Sequence, residues 1–347
     1  MPTHDAIAHP RLDAATHDGI MTALPRIYLT REAERLGTAR ELRALFYRGH
    51  LIRIATGAYV DSTAWAELDD DAKYRLRVRA AAMISSPAAQ FSHDSAAALW
   101  MLPSLGPWSP RAHELVDRSA GGSSRVGIAR HALGLDPDAL VIDGVLTTSL
   151  ARTLVDVGAS NSLARAVAMI DDGMRIPRAG HPRRLLVPVP PTAFDLLACL
   201  DRLSPYRGAT RARRAIAFAR AESDSPLESF ARVQFAALGY PEPELQVRFE
   251  DEAGVIGYAD FYWRELGLIV EADGEKKYGD DREFQTALSL RDILLAEKAR
   301  EDRMRRQCRA FSRIGWRLTS DRRALAAFLR PHGLEDRSRG GFGGARR

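Results

Sequence analysis

Gly257-Tyr258-Ala259-Asp260-Phe261-Tyr262-Trp263-Arg264-Glu265-Leu266-Gly267-Leu268-Ile269-Val270-Glu271-Ala272-Asp273-Gly274-Glu275-Lys276-Lys277-Tyr278 reads as two short apolar strands joined at Arg264 to Gly267. With Arg264 facing Gly267, counting outward sets Asp260 directly opposite Glu271. Opposed antiparallel residues point to one face with Cβ atoms about 4.5 to 5.5 Å apart, so the two carboxylates can share one ion. Period two carries Asp273 to the face of Glu271, although Gly274 can already bend the chain there. Three carboxylates on one face repel, and a divalent cation relieves that repulsion most simply. Mg²⁺ suits the donor set, with Mn²⁺ as its substitute, because it takes one or two carboxylates and keeps waters that can act as nucleophile. Lys276 or Lys277 can offset charge on a phosphate in the transition state, and the chemistry implied is phosphodiester hydrolysis.

A plainer alternative makes Asp260 and Glu271 solvated residues on the open face of the sheet, with Ala259, Phe261, Trp263 and Val270 turned to the core. Against it, Asp260 stands among Tyr258, Phe261, Tyr262 and Trp263, and Glu271 ends Leu268-Ile269-Val270, where an unpaired carboxylate is costly. Upstream, Ser225-Pro226-Leu227-Glu228 starts an amphipathic helix ending at Gly239. Glu228 is either a further site carboxylate or a favourable charge in the helix's first turn. Strands are expected over 246–250, 256–263, 268–272 and 314–318, with a long charged helix over about 286–307 before the last. On that helix Glu297, Lys298, Arg300, Glu301 and Arg303 form either a solvated face of i,i+3 and i,i+4 pairs or, through Lys298 and Arg303, a phosphate contact.

Together, Ser225 to Glu228, Asp260, Glu271 to Tyr278 and Glu297 to Arg303 resemble the Vsr-like branch, related to very-short-patch repair, of the PD-(D/E)XK nuclease superfamily. In that superfamily an Asp and a Glu on adjacent strands hold Mg²⁺, and the resemblance implies those roles for Asp260 and Glu271. Asp273 stands where Glu-x-Lys would place lysine, so Lys277 is the replacement, with Lys276 or Lys298 as alternatives.

Nearer the amino terminus, Thr30 is placed to cap a helix to Leu36, Gly37 breaks it, and Thr38 caps a second helix carrying Leu42, Leu45 and Phe46. Two β-prone segments around Thr56-Gly57 follow, as in a wing. Helices are expected over 70–84 and from Ser92 through Trp100, a turn at Gly121-Gly122-Ser123-Ser124, and a hairpin around Asp143-Gly144. Thr30 to Val60, with Phe91 to Trp100 and Thr147 to Asp156, resembles the winged-helix start and continuation of AbiEi-type antitoxins. In such a module the second helix would offer Arg40, Arg43 and Arg48 to a major groove, while Arg53 in the wing reaches phosphate. The alternative is a helical module that binds protein or only packs on the nuclease. His93 reads as a hydrogen-bonded core or capping residue, because no second His or Cys lies at a metal-ligand spacing in sequence.

A chain of 347 residues is too long for one average domain. The expected organisation is a disordered leader over 1–24, a winged-helix module over 25–62, and an AbiEi-like mixed helical and strand domain over 63–176. A linker and helical bridge over 177–222, the nuclease domain over 223–330 and a basic disordered tail over 331–347 complete it. The fold class is α+β overall, with a mixed α/β continuation behind the winged helix and an α/β restriction-endonuclease-like core at the carboxyl end. Net charge of +5, with arginine far in excess of lysine, favours polyanionic partners such as DNA. No apolar run approaches a membrane span and no basic patch leads into an apolar core at Met1 to Pro10, so a cytoplasmic protein without a membrane partner is expected. Cys199 and Cys308 lie far apart, which predicts neither a disulfide nor a zinc site. Two functions follow: a metal-dependent DNA endonuclease in defence, repair or a toxin-antitoxin setting, or an AbiEi-like antitoxin or transcriptional regulator with a degenerate nuclease fold. A cognate toxin or a modification protein would be the protein partner.

Overall fold

The computed structural model describes residues 24–121, 124–181, 183–274 and 290–335, with side chains from 295 onward in the last segment. The expected leader up to residue 23, Gly122 and Ser123 of the expected turn, Glu275 to Tyr278 and the tail beyond Glu335 lie outside the described residues. The protein is mixed α/β, as its element pattern predicts, and among the described residues no helix is long and apolar enough to cross a membrane. It divides into two units. One comprises residues up to Met101, Pro107–Thr153 and Arg178–Val189; the other comprises Leu102–Gly106, Leu154–Pro177 and the residues from Pro190 on. The division therefore falls inside the stretch read from sequence as one domain over 63–176.

The first unit opens with β1 (Tyr28–Leu29), α1 (Thr30–Arg35), α2 (Ala39–Tyr47), β2 (Leu51–Ala55) and β3 (Ala58–Asp61), whose strands pair antiparallel in the order β1-β3-β2. Gly37 and Gly57 both take positive φ, +75° and +71°, the left-handed conformation that glycine adopts without a Cβ penalty. The expected threonine caps are corrected. Helix α1 already includes Thr30, behind Leu29, and Thr38 stands at the head of α2 without a side-chain cap because its hydroxyl leans back toward the Ala33 carbonyl, 3.5 Å away. After α3 (Ser62–Glu67), α4 (Asp70–Ile84) brings Leu76 and Ala80 against Ile27, Leu29, Ala58 and Val60 to form the core of this part. Next come β4 (Gln90–Phe91), α5 (His93–Leu99), β5 (Ala112–Leu115), β6 (Ile128–His131), β7 (Leu140–Ile142) and β8 (Val145–Thr147). They build a five-stranded mixed sheet of order β6-β5-β4-β8-β7, and β7 and β8 form the Asp143-Gly144 hairpin that the sequence predicts, both turn residues at positive φ.

Helix α6 (Leu150–Ser160) crosses the division, α7 (Leu163–Met174) lies in the second unit, and α8 (Arg183–Leu186) in the first. In the expected bridge, α9 (Ala193–Arg202) begins with a Thr192–Asp195 capping box, and α10 (Ala209–Phe218) follows Gly208. A Cβ at Gly208 would fall 2.6 Å from the Ala159 carbonyl oxygen, so only glycine fits this approach to α6.

The second unit is built on α11 (Pro226–Ala237), β9 (Glu244–Asp251), β10 (Gly254–Trp263), β11 (Leu268–Ala272), α12 (Leu290–Arg306), β12 (Ala310–Ile314), α13 (Trp316–Ser320) and α14 (Arg322–Leu329). Its sheet runs β12-β11-β10-β9; β9, β10 and β11 are antiparallel neighbours and β12 lies parallel to β11. The last strand predicted over 314–318 is displaced. Its apolar residues Trp316 and Leu318 lie on a helix, because β12 ends where Ile314 pairs with Ala272 and Gly315 starts the next turn, its carbonyl accepting from the Thr319 hydroxyl. Phe235 of α11 meets Phe261 and Trp263 edge-on in a core closed by Leu268, Val270, Leu325 and Leu329. The tail boundary also shifts: Leu334 is buried in this same core, so chain order extends past residue 331.

Ser225 caps α11, its Oγ accepting from the Glu228 amide and donating to the Glu228 carboxylate at 2.7 Å, with Pro226 in the first turn. Ser225→Ala is expected to lower the stability of this unit by about 1 to 2 kcal/mol, read by urea denaturation.

Candidate functional site

The turn between β10 and β11 sets Phe261 opposite Val270, Tyr262 opposite Ile269 and Trp263 opposite Leu268, the register counted from sequence. One step further outward places Asp260 across from Glu271. Ala259, Phe261, Trp263 and Val270 are all buried, as that hairpin requires. Glu271 is itself only 8 % exposed, so it does not sit on an open, solvated face.

Asp260 accepts from the Ala272 amide at 2.8 Å and from the Gln246 side-chain amide at 3.1 Å. The same Gln246 amide donates to Glu228 at 3.1 Å, which joins β9, β10 and the head of α11 through one nitrogen. Gln246 holds this place in a left-handed backbone conformation, φ +48°, within a strand. For a residue with a Cβ that is a strained position of the kind found where side-chain placement is over-determined. Glu228 also accepts from the Asp224 amide at 2.8 Å.

Glu271 takes a different partner set. Both of its oxygens meet Arg300 of α12, at 3.1 and 3.2 Å, and Arg313 of β12 approaches at 3.4 Å. Arg313 further pairs with Glu297 and Glu301, each at 3.0 Å, so one guanidinium gathers carboxylates from β11 and α12. These arginines supply charge that the sequence reading assigned to a cation.

All three carboxylates hold protons more tightly than ordinary carboxylates. Burial, and then the charge of Asp260, push Glu228 up to about 7 despite hydrogen bonds from Asp224 and Ser225. Burial raises Asp260 against its bonds from Ala272 and Gln246, and burial raises Glu271 even against Arg300 and Arg313. Glu228 and Glu271 are buried and Asp260 half-buried, and such oxygen donors suit a hard cation such as Mg²⁺, with Arg300 and Arg313 already facing Glu271. Gln246→Ala would leave Glu228 and Asp260 facing each other without the amide between them. It is expected to cost about 1 to 3 kcal/mol at neutral pH, with added Mg²⁺ raising the melting temperature of the variant more than that of the wild type in a thermal scan.

The remaining sequence candidates disperse. Asp273 is exposed and its carboxylate meets Arg313, the guanidinium that also approaches Glu271, at 3.9 Å, rather than Asp260 or Glu228. Lys276 and Lys277 lie outside the described residues. Lys298 is exposed on α12. Arg303 is not offered to solvent as a phosphate ligand would be: it clamps Asp251 through two nitrogens, at 2.8 and 2.5 Å. In the first unit Arg40, Arg43 and Arg48 are exposed on or just after α2, and Arg53 is exposed on β2. Sequence reasoning missed Gln246 and Arg313. No local pattern marks them, because their roles arise only when β9, β10, β11 and β12 lie side by side.

No protein-family model matches the sequence. Over 130 residues the chain is 28 % identical to uncharacterized proteins from two strains of Mycobacterium tuberculosis, a match covering 38 % of this chain and 44 % of each relative. The chain thus spans less than half the length of the curated relatives it matches.

Proposed function

We propose that the protein is a metal-dependent DNA endonuclease of PD-(D/E)XK, Vsr-like type, with a winged-helix DNA-binding module in its first unit. The observation that carries this reading is that Gln246 ties buried Glu228 to half-buried Asp260, and the hairpin register sets Asp260 across from buried Glu271, all three carboxylates having raised proton affinity. A scaffold gains nothing from such a group, since each buried charge costs free energy, whereas catalytic sites collect them.

Asp260 and Glu271, with Glu228 beside them, would hold Mg²⁺ or Mn²⁺, which when bound supplies charge neutralisation at the phosphate and a more acidic water. Glu228, with a proton affinity near neutrality, is suited to hold a proton released nearby. Gln246 fixes the separation of Glu228 and Asp260, and the Ala272 amide orients Asp260. Arg300 keeps Glu271 in place from the α12 side. In the first unit, α2 and the β2–β3 hairpin offer Arg40, Arg43, Arg48 and Arg53 to the phosphates and groove of a duplex.

A second reading draws on one specific observation, that Arg300 and Arg313 already neutralise Glu271. In that reading the fold is a scaffold and the protein an AbiEi-like antitoxin or transcriptional regulator, with a cognate toxin as partner. Incubation of the purified chain with supercoiled plasmid and Mg²⁺ or Mn²⁺ separates the two. Nicked or linear product supports the endonuclease. Intact plasmid together with salt-sensitive duplex binding supports the regulator.

A further inference from the structure

The first unit holds a second cluster of chemistry, unrelated to the carboxylates. His93 heads α5, His113 lies on β5, and His131 ends β6, the strand parallel to β5. Their rings stack: centroids are 4.0 Å apart for His93 and His131, 5.1 Å for His113 and His131, and 5.7 Å for His93 and His113. His113 Nδ1 and His131 Nε2 are 2.9 Å apart. One ring nitrogen from each residue lies within 4.8 Å of the others.

We propose that His93, His113 and His131 form a site for a transition-metal dication, Zn²⁺ being the best match. Imidazole nitrogens suit Zn²⁺ and its borderline-soft neighbours, whereas Mg²⁺ and Ca²⁺ require oxygen donors. Nitrogens bound tetrahedrally at about 2.0 to 2.1 Å stand roughly 3.4 Å apart, so metal binding would turn the rings toward one point and replace the His113–His131 hydrogen bond. The Ser92 hydroxyl lies 2.9 Å from His93 Nδ1, an outer-shell hydrogen bond of the kind that orients a ligating histidine. His93 takes this position at φ +51°, a left-handed conformation uncommon for a residue with a side chain. Glu114, next to His113, is turned to the other face and paired with Arg125 and Arg130, and among the described residues no carboxylate joins the three histidines within that 4.8 Å. Three histidines with no fourth protein ligand among the described residues match sites that keep one position for water or a small anion.

The test is titration of the metal-stripped full chain with Co²⁺, followed by displacement with Zn²⁺. One equivalent should bind with a Kd tighter than about 10 μM and give the visible absorption of a four- or five-coordinate nitrogen site. His131→Ala and His113→Gln should each weaken binding at least about 100-fold, since even outer-shell losses cost 10- to 100-fold. The control, alanine at His4, His9 and His17, should bind as the wild type does. Circular dichroism confirms that each variant is folded. Absence of the nitrogen-site absorption band in the wild type overturns the proposal, as does full binding by folded His113→Gln, or loss of the band in the control.

Discussion

On the endonuclease reading, Asp260→Ala is expected to lower Mg²⁺-dependent plasmid cleavage by at least about a thousandfold, and Glu271→Ala by a comparable factor, since each would remove several kcal/mol of charge stabilisation in the transition state. The two substitutions differ in what they leave behind. Without Asp260, the Gln246 amide keeps Glu228 and the Ala272 amide loses its acceptor. Without Glu271, Arg300 keeps Glu297 and Arg313 keeps Glu297 and Glu301. Both variants therefore retain partners for the surrounding charges, and near-wild-type circular dichroism is expected alongside lost cleavage. Cleavage that survives Asp260→Ala would place the chemistry elsewhere. An active wild type with an equally active Glu271→Ala would assign Arg300 and Arg313 as the permanent partners of Glu271.

Asp171→Ala is expected to destabilise the second unit by about 3 to 5 kcal/mol, the largest stability loss of any single change considered. Asp171 of α7 is 1 % exposed and accepts from Ser229, from the Arg220 amide and from Arg232, which is 4 % exposed. Removing one partner leaves Arg232 buried and uncompensated, although it keeps its bond to the Phe218 carbonyl. The pair itself is a costly one. Burial raises Asp171 from 3.8 to about 6 against the attraction of Arg232, and burial likewise lowers Arg232. A carboxyl whose folded value is raised holds its proton more tightly when folded, so its contribution is complete below about pH 3.8 and is lost as pH rises through about 6. Guanidinium denaturation between pH 4 and pH 7 should show a decline in the wild type and a shallower one in Asp171→Asn, where Glu228, Asp260 and Glu271 still contribute. Equal slopes in the wild type and Asp171→Asn would show that Arg232 offsets the burial cost of Asp171 in full.

Local pattern made much of the second unit legible. The Ser225-Pro226 helix start, the turn at Arg264 to Gly267 and the apolar runs on each side determine α11, β10 and β11, and with them the register that sets Asp260 across from Glu271. Each rests on neighbours in the chain: a cap three residues away, or a strand alternation that a tight turn folds back on itself. The end of the sheet was less legible, because Ile314, Trp316 and Leu318 fit either a strand or a helix, and only the parallel pairing of β12 with β11 limits the strand to Ile314.

In the first unit Gly37, Gly57 and Asp143-Gly144 announced their turns, yet Thr30 and Thr38 did not cap, since a hydroxyl near a helix start is free to choose another acceptor. By itself, then, the sequence determined most element types outside the end of the second sheet, the hairpin register and which acids are candidates. The tertiary structure alone decided that Arg300 and Arg313 reach Glu271, that Gln246 bridges Glu228 and Asp260, and that three histidines 18 or more residues apart share one cluster. The physical reason is range: caps and turns act within a few residues, whereas charge pairing and ligand convergence depend on distances in space that strand order sets.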